Sequence, residues 1–257
     1  MARLKAAGFN ERLTLVEHLD ELRTRLIVSI AAFAVAIALC FWQNHLLLDI
    51  ANQPLPPGRV PTTFGVTEPF FTTMTVVAYG AILIAMPVVL FQLSAFVLPA
   101  LSPGERRIAL PLLLMVPVLF LAGVVFSYFV IMPAATKFLL NFNSSEFQIL
   151  VRARDYYSFL GMTLLTLGLV FQVPIVILAL CRIGVITADQ LASNRRYAVL
   201  VIAIVAVLLP GTDPVTTSLI MLPMLLLFEL GIVLGRAFGR RPGDAFEPEP
   251  QPSPQGQ

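Results

Sequence analysis

Two acidic residues in basic surroundings are the side chains whose chemistry is easiest to interpret. Glu21 lies in the sequence His-Leu-Asp-Glu-Leu-Arg of residues 18–23, and Glu105 follows a Pro-Gly pair between two long apolar runs. Both stand beside membrane-length segments, where Lys and Arg are expected to dominate. An arginine guanidinium pairs best with its own carboxylate through bidentate hydrogen bonds. Two such carboxylates suit a ligand with two arginines; the alternative is an ordinary solvated acidic surface.

Two further polar residues lie within apolar runs. Glu229 interrupts the last run, and a charge in mid-membrane costs ~2.5–3.5 kcal/mol, so its default interpretation is functional. The alternative is a neutral or paired carboxylate, with Arg236 one to two turns away. Gln172, followed by Pro174, places an amide in mid-membrane, where it either makes an interhelical hydrogen bond of ~0.6 kcal/mol or lines a cavity.

The sequence lacks the patterns of the common enzyme classes. His18 and His45 have no helical partner suited to zinc, and neither a Gly-x-Ser-x-Gly elbow nor a Walker-type phosphate loop is present. Cys40 and Cys181 end apolar runs without a CxxC pattern and are interpreted as small buried hydrophobes. We therefore expect no metal, no cofactor and no catalytic residue.

The composition shows what must position these groups. Hydrophobic residues make up 58% of 257 positions and charged residues only 12%, about half the share of a soluble domain. The prediction is an all-α polytopic membrane protein with six transmembrane helices. The predicted spans are residues 26–42, 70–98, 108–132, 159–180, 197–209 and 215–234.

The last two spans are predicted to be short. Residues 197–209 reach only ~20 Å as a helix, less than a ~30 Å hydrocarbon core. The run 215–234 meets Glu229 before it has reached full length. This pair of helices is expected to thin the bilayer locally or to stop short of one face.

Three regions follow from this pattern. Residues 1–25 are predicted to form a cytoplasmic amphipathic helix, residues 26–235 the six-helix membrane domain, and residues 236–257 a disordered cytoplasmic tail. Residues 44–69 and 133–157 are predicted to be extramembrane loops, the first of them rigid because it is rich in proline. All but four of the 17 Lys and Arg residues fall on the side of the termini, which places both termini in the cytoplasm and the protein in the plasma membrane.

Six short motifs, in order along the chain, resemble the TatC family, the multispanning core of the twin-arginine protein translocase. The resemblance covers residues 15–236. The motifs are EHLDELRTRL at 17–26, EPFF at 68–71, AFVLPAL with ERR at 95–107, FQVP at 171–174, Asp213 after a Pro-Gly turn, and LFELG at 227–231.

The resemblance implies a function and a site. TatC-like proteins bind the twin-arginine signal peptides of folded cargo at the cytoplasmic face. The matching carboxylates are Glu21 and Glu105, with Arg23, Phe96 and Pro99 shaping the site. The resemblance also implies a concave, glove-like wall of helices capped by outer loops, to which Pro54, Phe70 and Asp213 contribute.

The same resemblance implies partners and an energy source. TatA- and TatB-type single-span proteins are expected to dock along the fifth and sixth helices, and the proton-motive force drives transport without ATP. Members of the family can carry Glu in the fourth span where this chain has Gln172, which disfavours any scheme that needs a protonatable group there.

Two other classes remain open at the level of sequence. A secondary transporter for a small cation would use Glu229 and Gln172, but it should show two similar halves with interrupted helices, and no internal repeat is visible. A purely structural membrane scaffold would tolerate alanine at Glu21, Glu105 and Glu229 together. An enzyme is the weakest of the options.

Overall fold

The computed structural model describes residues 15–97, 103–147, 149–208 and 213–238, with side chains described in 18–96, 112–147, 149–208 and 213–238. Every regular element in these ranges is a helix, as predicted. The α-helices are α1 Leu15–Trp42, α2 Asn44–Asn52, α3 Glu68–Val97, α4 Pro103–Phe126, α5 Met132–Asn141, α6 Ala153–Val170, α7 Val173–Ile183, α8 Ala188–Ser193, α9 Arg195–Leu208 and α10 Pro214–Phe238.

Five helical segments of the described chain are long and apolar enough to cross a membrane. They are His18–Trp42, Glu68–Phe96, Leu112–Asn141, Ala153–Ile183 and Pro214–Phe238. The remaining predicted span corresponds to α9, which is 14 residues long and therefore reaches only ~21 Å. The short fifth helix agrees with the prediction, and the count of six crossings remains a prediction.

The predicted short sixth helix is wrong. Helix α10 has 25 residues, which gives it a length of ~37 Å. The prediction took Glu229 as the limit of the apolar segment. Its side chain is about half exposed and ion-paired, so the carboxylate is accommodated without ending the helix.

Helices α1 and α3 pack closely through small side chains. Their shared core consists of Ala36, Cys40, Val77, Ala81 and Ala85. In a lipid environment such small residues let two backbones approach and gain van der Waals contact. Helix α1 runs unbroken from Leu15, so the predicted boundary at residue 25 falls inside one helix; residues 1–14 lie outside the described chain.

The third membrane segment is longer than predicted. Helix α4 continues through a π-helical turn, Ser127–Ile131, directly into α5, so the predicted end of the span at residue 132 is wrong. Pro133 stands in the first turn of α5, where its missing N–H is best tolerated. The wider π-turn before it lets the chain continue past this proline.

The predicted loop of residues 44–69 contains the helix α2, whose C-terminal end is held by three tyrosines. The Tyr128 hydroxyl donates to the Ile50 carbonyl at 2.7 Å, and the Tyr156 hydroxyl donates to the Ala51 carbonyl at 2.6 Å. Tyr157 donates to the Asn52 side chain at 2.9 Å. The last carbonyls of a helix lack α-helical partners, and the Tyr128 and Tyr156 hydroxyls donate to two of them.

Helix α6 crosses α4 at a pair of glycines and then breaks. A Cβ at Gly123 would lie 2.7 Å from the Leu167 carbonyl oxygen and 2.9 Å from the Gly168 Cα, both backbone atoms. Only glycine allows this approach. Beyond the crossing, Phe171 and Gln172 separate α6 from α7, so the predicted fourth span consists of two helices in sequence.

We expect Gly123→Ala to lower the thermal unfolding midpoint in detergent by about 5 °C, because α4 and α6 must move apart. Gly65→Ala is the matched control, since the nearest atom to its new Cβ would be 3.8 Å away. An unchanged midpoint in the Gly123 variant would contradict the close crossing.

Candidate functional site

Glu21 lies at one end of the bundle, where α1 meets the last turns of α3. His18, Glu21 and Arg25 recur at intervals of three and four residues, which places them on one face of α1. This face contacts two residues of α3, Gln92 and Phe96. We call these five residues the Glu21 cluster.

An arginine of the same helix engages one oxygen of the Glu21 carboxylate. Arg25 Nε donates to Glu21 Oε1 at 3.1 Å, and the guanidinium also reaches across to Gln92 Oε1 at 3.2 Å. The Glu21 and Arg25 side chains are about three-quarters buried. Arg25 therefore fixes the Glu21 rotamer and ties α1 to α3.

The second oxygen of Glu21 remains available. Glu21 Oε2 is shielded from solvent and has no hydrogen-bond partner among the described residues. His18 Nδ1 lies 3.8 Å away, beyond hydrogen-bonding distance, and its ring stacks on Phe96 with centroids 4.2 Å apart. A carboxylate can accept about four hydrogen bonds, so this one can accept a further cationic donor.

Of the other residues predicted for this site, the structure describes the side chains of only two, Phe96 and Arg23. Phe96 belongs to the Glu21 cluster, whereas Arg23 lies exposed on another face of α1. Glu105 is the third residue of α4, but its side chain and the whole of Pro99 lie outside the described residues.

Sequence reasoning missed three members of the Glu21 cluster. His18 and Arg25 could have been found from their helical spacing to Glu21. Gln92 could not, because its part in the site depends on how α1 and α3 align.

Gln172 lies at the break between α6 and α7 and is 8% exposed. Its Nε2 donates to the Val116 carbonyl of α4 at 3.2 Å, while its Oε1 has no partner among the described residues. The interhelical hydrogen bond is the one anticipated for a packing role.

Glu229 forms an ion pair, but with a different arginine from the one anticipated. Arg195 Nη2 of α9 lies 2.8 Å from Glu229 Oε2, and both side chains are about half exposed. Arg236 instead pairs with Asp189 of α8 at 3.0 Å, so the anticipated Arg236 pairing is wrong. Gln172 and Glu229 share no hydrogen bond in the described chain, which gives no support to a joint cation site.

The three residues predicted to contribute to the outer loops, Pro54, Phe70 and Asp213, make different contacts. The Pro54 carbonyl accepts a hydrogen bond from Thr136 at 3.0 Å, and Phe70 is exposed beside Phe71. Asp213 Oδ1 accepts from the Thr216 amide at 2.7 Å and thereby caps α10, whose first residue is Pro214. Of these three, Asp213 has a clear helix-capping contact.

An ion pair joins the starts of α3 and α6, at the end of α3 opposite the Glu21 cluster. Arg152 Nε donates to Glu68 Oε1 at 2.8 Å, and this hydrogen bond raises the pKa of the Arg152 guanidinium above its ordinary value. Thr62 exchanges backbone hydrogen bonds with Val151 and Ala153 next to it, at 2.7 and 2.8 Å. The two loops are thereby joined.

Comparison with known proteins gives one consistent result. Residues 17–223 match the family model described as Sec-independent protein translocase protein (TatC). The protein of that name from Carboxydothermus hydrogenoformans is 34% identical over 226 residues, covering 87% of this chain and 93% of the relative. The one from Aquifex aeolicus is 35% identical over 232 residues, covering 88% and 96%.

A solved structure agrees in fold. The crystal structure of the twin arginine translocase receptor TatC superposes with a TM-score of 0.75 at 36% identity, covering 86% of this chain and 99% of that one. Sequence and fold match over most of both chains. The chain therefore belongs to the TatC family of Sec-independent protein translocase proteins.

Proposed function

We propose that this chain, the core subunit of a twin-arginine translocase, binds the arginines of signal peptides at the Glu21 cluster. The observation that carries the proposal is Glu21 Oε2, a desolvated acceptor in a fixed side chain that has no hydrogen-bond partner among the residues with described side chains. A buried carboxylate oxygen without a donor is costly, and a guanidinium supplies that donor together with the opposite charge.

The twin-arginine motif requires a second anion, and Glu105 is the candidate. Its backbone lies in the first turn of α4. Two carboxylates let each arginine of the peptide make its own pair, and this favours arginine over lysine because only a guanidinium can pair through two parallel hydrogen bonds. We propose Phe96 and Pro99 as the apolar border of the site, and Arg23, which lies on another face of α1, as an exposed basic residue near it.

The remaining parts of the proposal concern assembly and topology. The chain lies in the plasma membrane with both termini in the cytoplasm, and TatA- and TatB-type single-span proteins dock along α9 and α10. An apolar groove of about 650 Å³ between α9 and the α6–α7 segment supports lateral docking there. The proton-motive force drives transport, without ATP and without catalytic chemistry in this subunit.

We expect Glu21→Gln to weaken binding of a labelled twin-arginine peptide by at least tenfold, since removing one partner of a buried charge pair costs about 2–5 kcal/mol. Binding is measured with the full chain in nanodiscs, with a twin-lysine peptide as the ligand control. Asp20→Asn is the matched control, because this neighbouring carboxylate is exposed. Equal affinities for Glu21→Gln and the wild type would contradict the proposal.

Glu105→Gln tests the second anion separately. We expect this substitution to weaken binding of the twin-arginine peptide about tenfold. Binding of a peptide with one arginine should change much less, because that peptide needs only one carboxylate. The two peptides are compared in the same nanodisc binding assay. If both lost affinity equally, Glu105 would not serve the second arginine.

Glu229→Gln distinguishes the translocase from a cation transporter. The Arg195–Glu229 pair is exposed, so its loss costs at most about 1 kcal/mol of stability. We expect peptide binding and cargo export to continue in this variant, as measured by periplasmic accumulation of a folded reporter. Loss of export with intact peptide binding would give Glu229 a transport role.

A further inference from the structure

A cavity of about 690 Å³ opens at the end of α3 farthest from the Glu21 cluster. It lies between the first three turns of α3 and the start of α6, and its rim at Glu68 is about 36 Å along α3 from Gln92. Its charged lining consists of Glu68, Arg152 and Arg154. The binding of signal peptides proposed above does not use this region.

The single carboxylate of the cavity is committed to its own chain. Glu68 accepts hydrogen bonds from Arg152 Nε at 2.8 Å and from the amides of Phe64 and Gly65 at 2.8 and 3.2 Å. It therefore offsets Arg152 and leaves little acceptor capacity for another cation.

Arg154 supplies the uncompensated charge. Its exposed guanidinium has no ion pair or hydrogen bond within the described chain, although it lines the cavity next to Arg152. The charge of Asp155 contributes to the raised pKa of Arg152, but Asp155 does not line the cavity. Two guanidiniums against one carboxylate leave the cavity positive, which favours an anionic ligand.

The wall of α3 below these charges enters the membrane segment and combines an apolar strip with two threonines, Thr72 and Thr75. Phe71, Met74 and Ala78 line the cavity at helical spacing, so they form one strip that descends from the charged rim. Thr72 is 4% exposed, and its hydroxyl has no hydrogen-bond partner in the part of the chain that the structure describes. A positive rim above an apolar strip at a membrane surface matches an amphiphile with an anionic head group.

We propose that this cavity binds an anionic phospholipid. Its phosphate pairs with Arg154, with Arg152 as the second and weaker contact, and one acyl chain lies along the strip of Phe71, Met74 and Ala78. The bound lipid completes the wall between α3 and α6, where the structure leaves an open volume.

The experiment counts bound lipid on the full chain. Wild type and Arg154→Gln are reconstituted in nanodiscs of phosphatidylcholine with a minor share of phosphatidylglycerol, and retained phosphatidylglycerol is measured by native mass spectrometry after gentle detergent release. We expect about tenfold weaker retention in Arg154→Gln, and near wild-type retention in Arg154→Lys, which keeps the charge.

Lys137→Gln is the matched control, because it removes one exposed positive charge from α5 without touching the cavity. We expect it to retain the lipid. Equal retention in Arg154→Gln and the wild type, or equal loss in Lys137→Gln, would overturn the proposal.

Two further measurements distinguish a lipid site from a general anion site and from misfolding of the variant. Inorganic phosphate should not displace phosphatidylglycerol at millimolar concentration; displacement would mean that the apolar strip contributes nothing and would overturn the lipid assignment. Peptide binding to Arg154→Gln in the same nanodiscs should equal that of the wild type, which shows that the variant is folded. Loss of both lipid and peptide would overturn the assignment of a separate lipid site.

Discussion

The close packing of α1 against α3 is the constraint on which the Glu21 cluster depends. Small side chains along this contact bring the two backbones together and fix their register. Only in that register can Arg25 reach Gln92 while His18 stacks on Phe96. The outcome is a carboxylate with one oxygen held and the other shielded, which is an unusual state for an acidic group at the end of a membrane helix.

The two ends of α3 support acidic side chains in different states. At its start, Glu68 is saturated by an arginine and two amides, and nearby loops are joined by backbone hydrogen bonds. At its far end, Gln92 and Phe96 support a side chain that still has capacity for a ligand. The two ends therefore differ in acceptor capacity, because Glu68 is already hydrogen-bonded while Glu21 keeps one oxygen without a donor among the described residues.

Much of this architecture follows from the sequence because lipid leaves the backbone few options. A long apolar run must be helical to satisfy its amide and carbonyl groups, so the long spans were predictable. Two predicted span limits were wrong because the structure accommodates residues that often end a membrane helix. A π-turn carries the chain past Pro133, and Arg195, distant in sequence, pairs with Glu229. Glu21 was singled out from the sequence and its binding role stays a prediction, whereas the contact of Gln92 depends on a helix register that no local pattern encodes.

A double-mutant cycle between Glu21 and the signal peptide tests the central claim most directly. Peptide affinity is measured for Glu21 and Glu21→Gln, each with arginine or glutamine at each of the two motif positions. The account predicts a coupling free energy of at least ~1.5 kcal/mol between Glu21 and one of these arginines. Additive effects, within ~0.3–0.5 kcal/mol at both positions, would contradict a direct pairing of Glu21 with the signal.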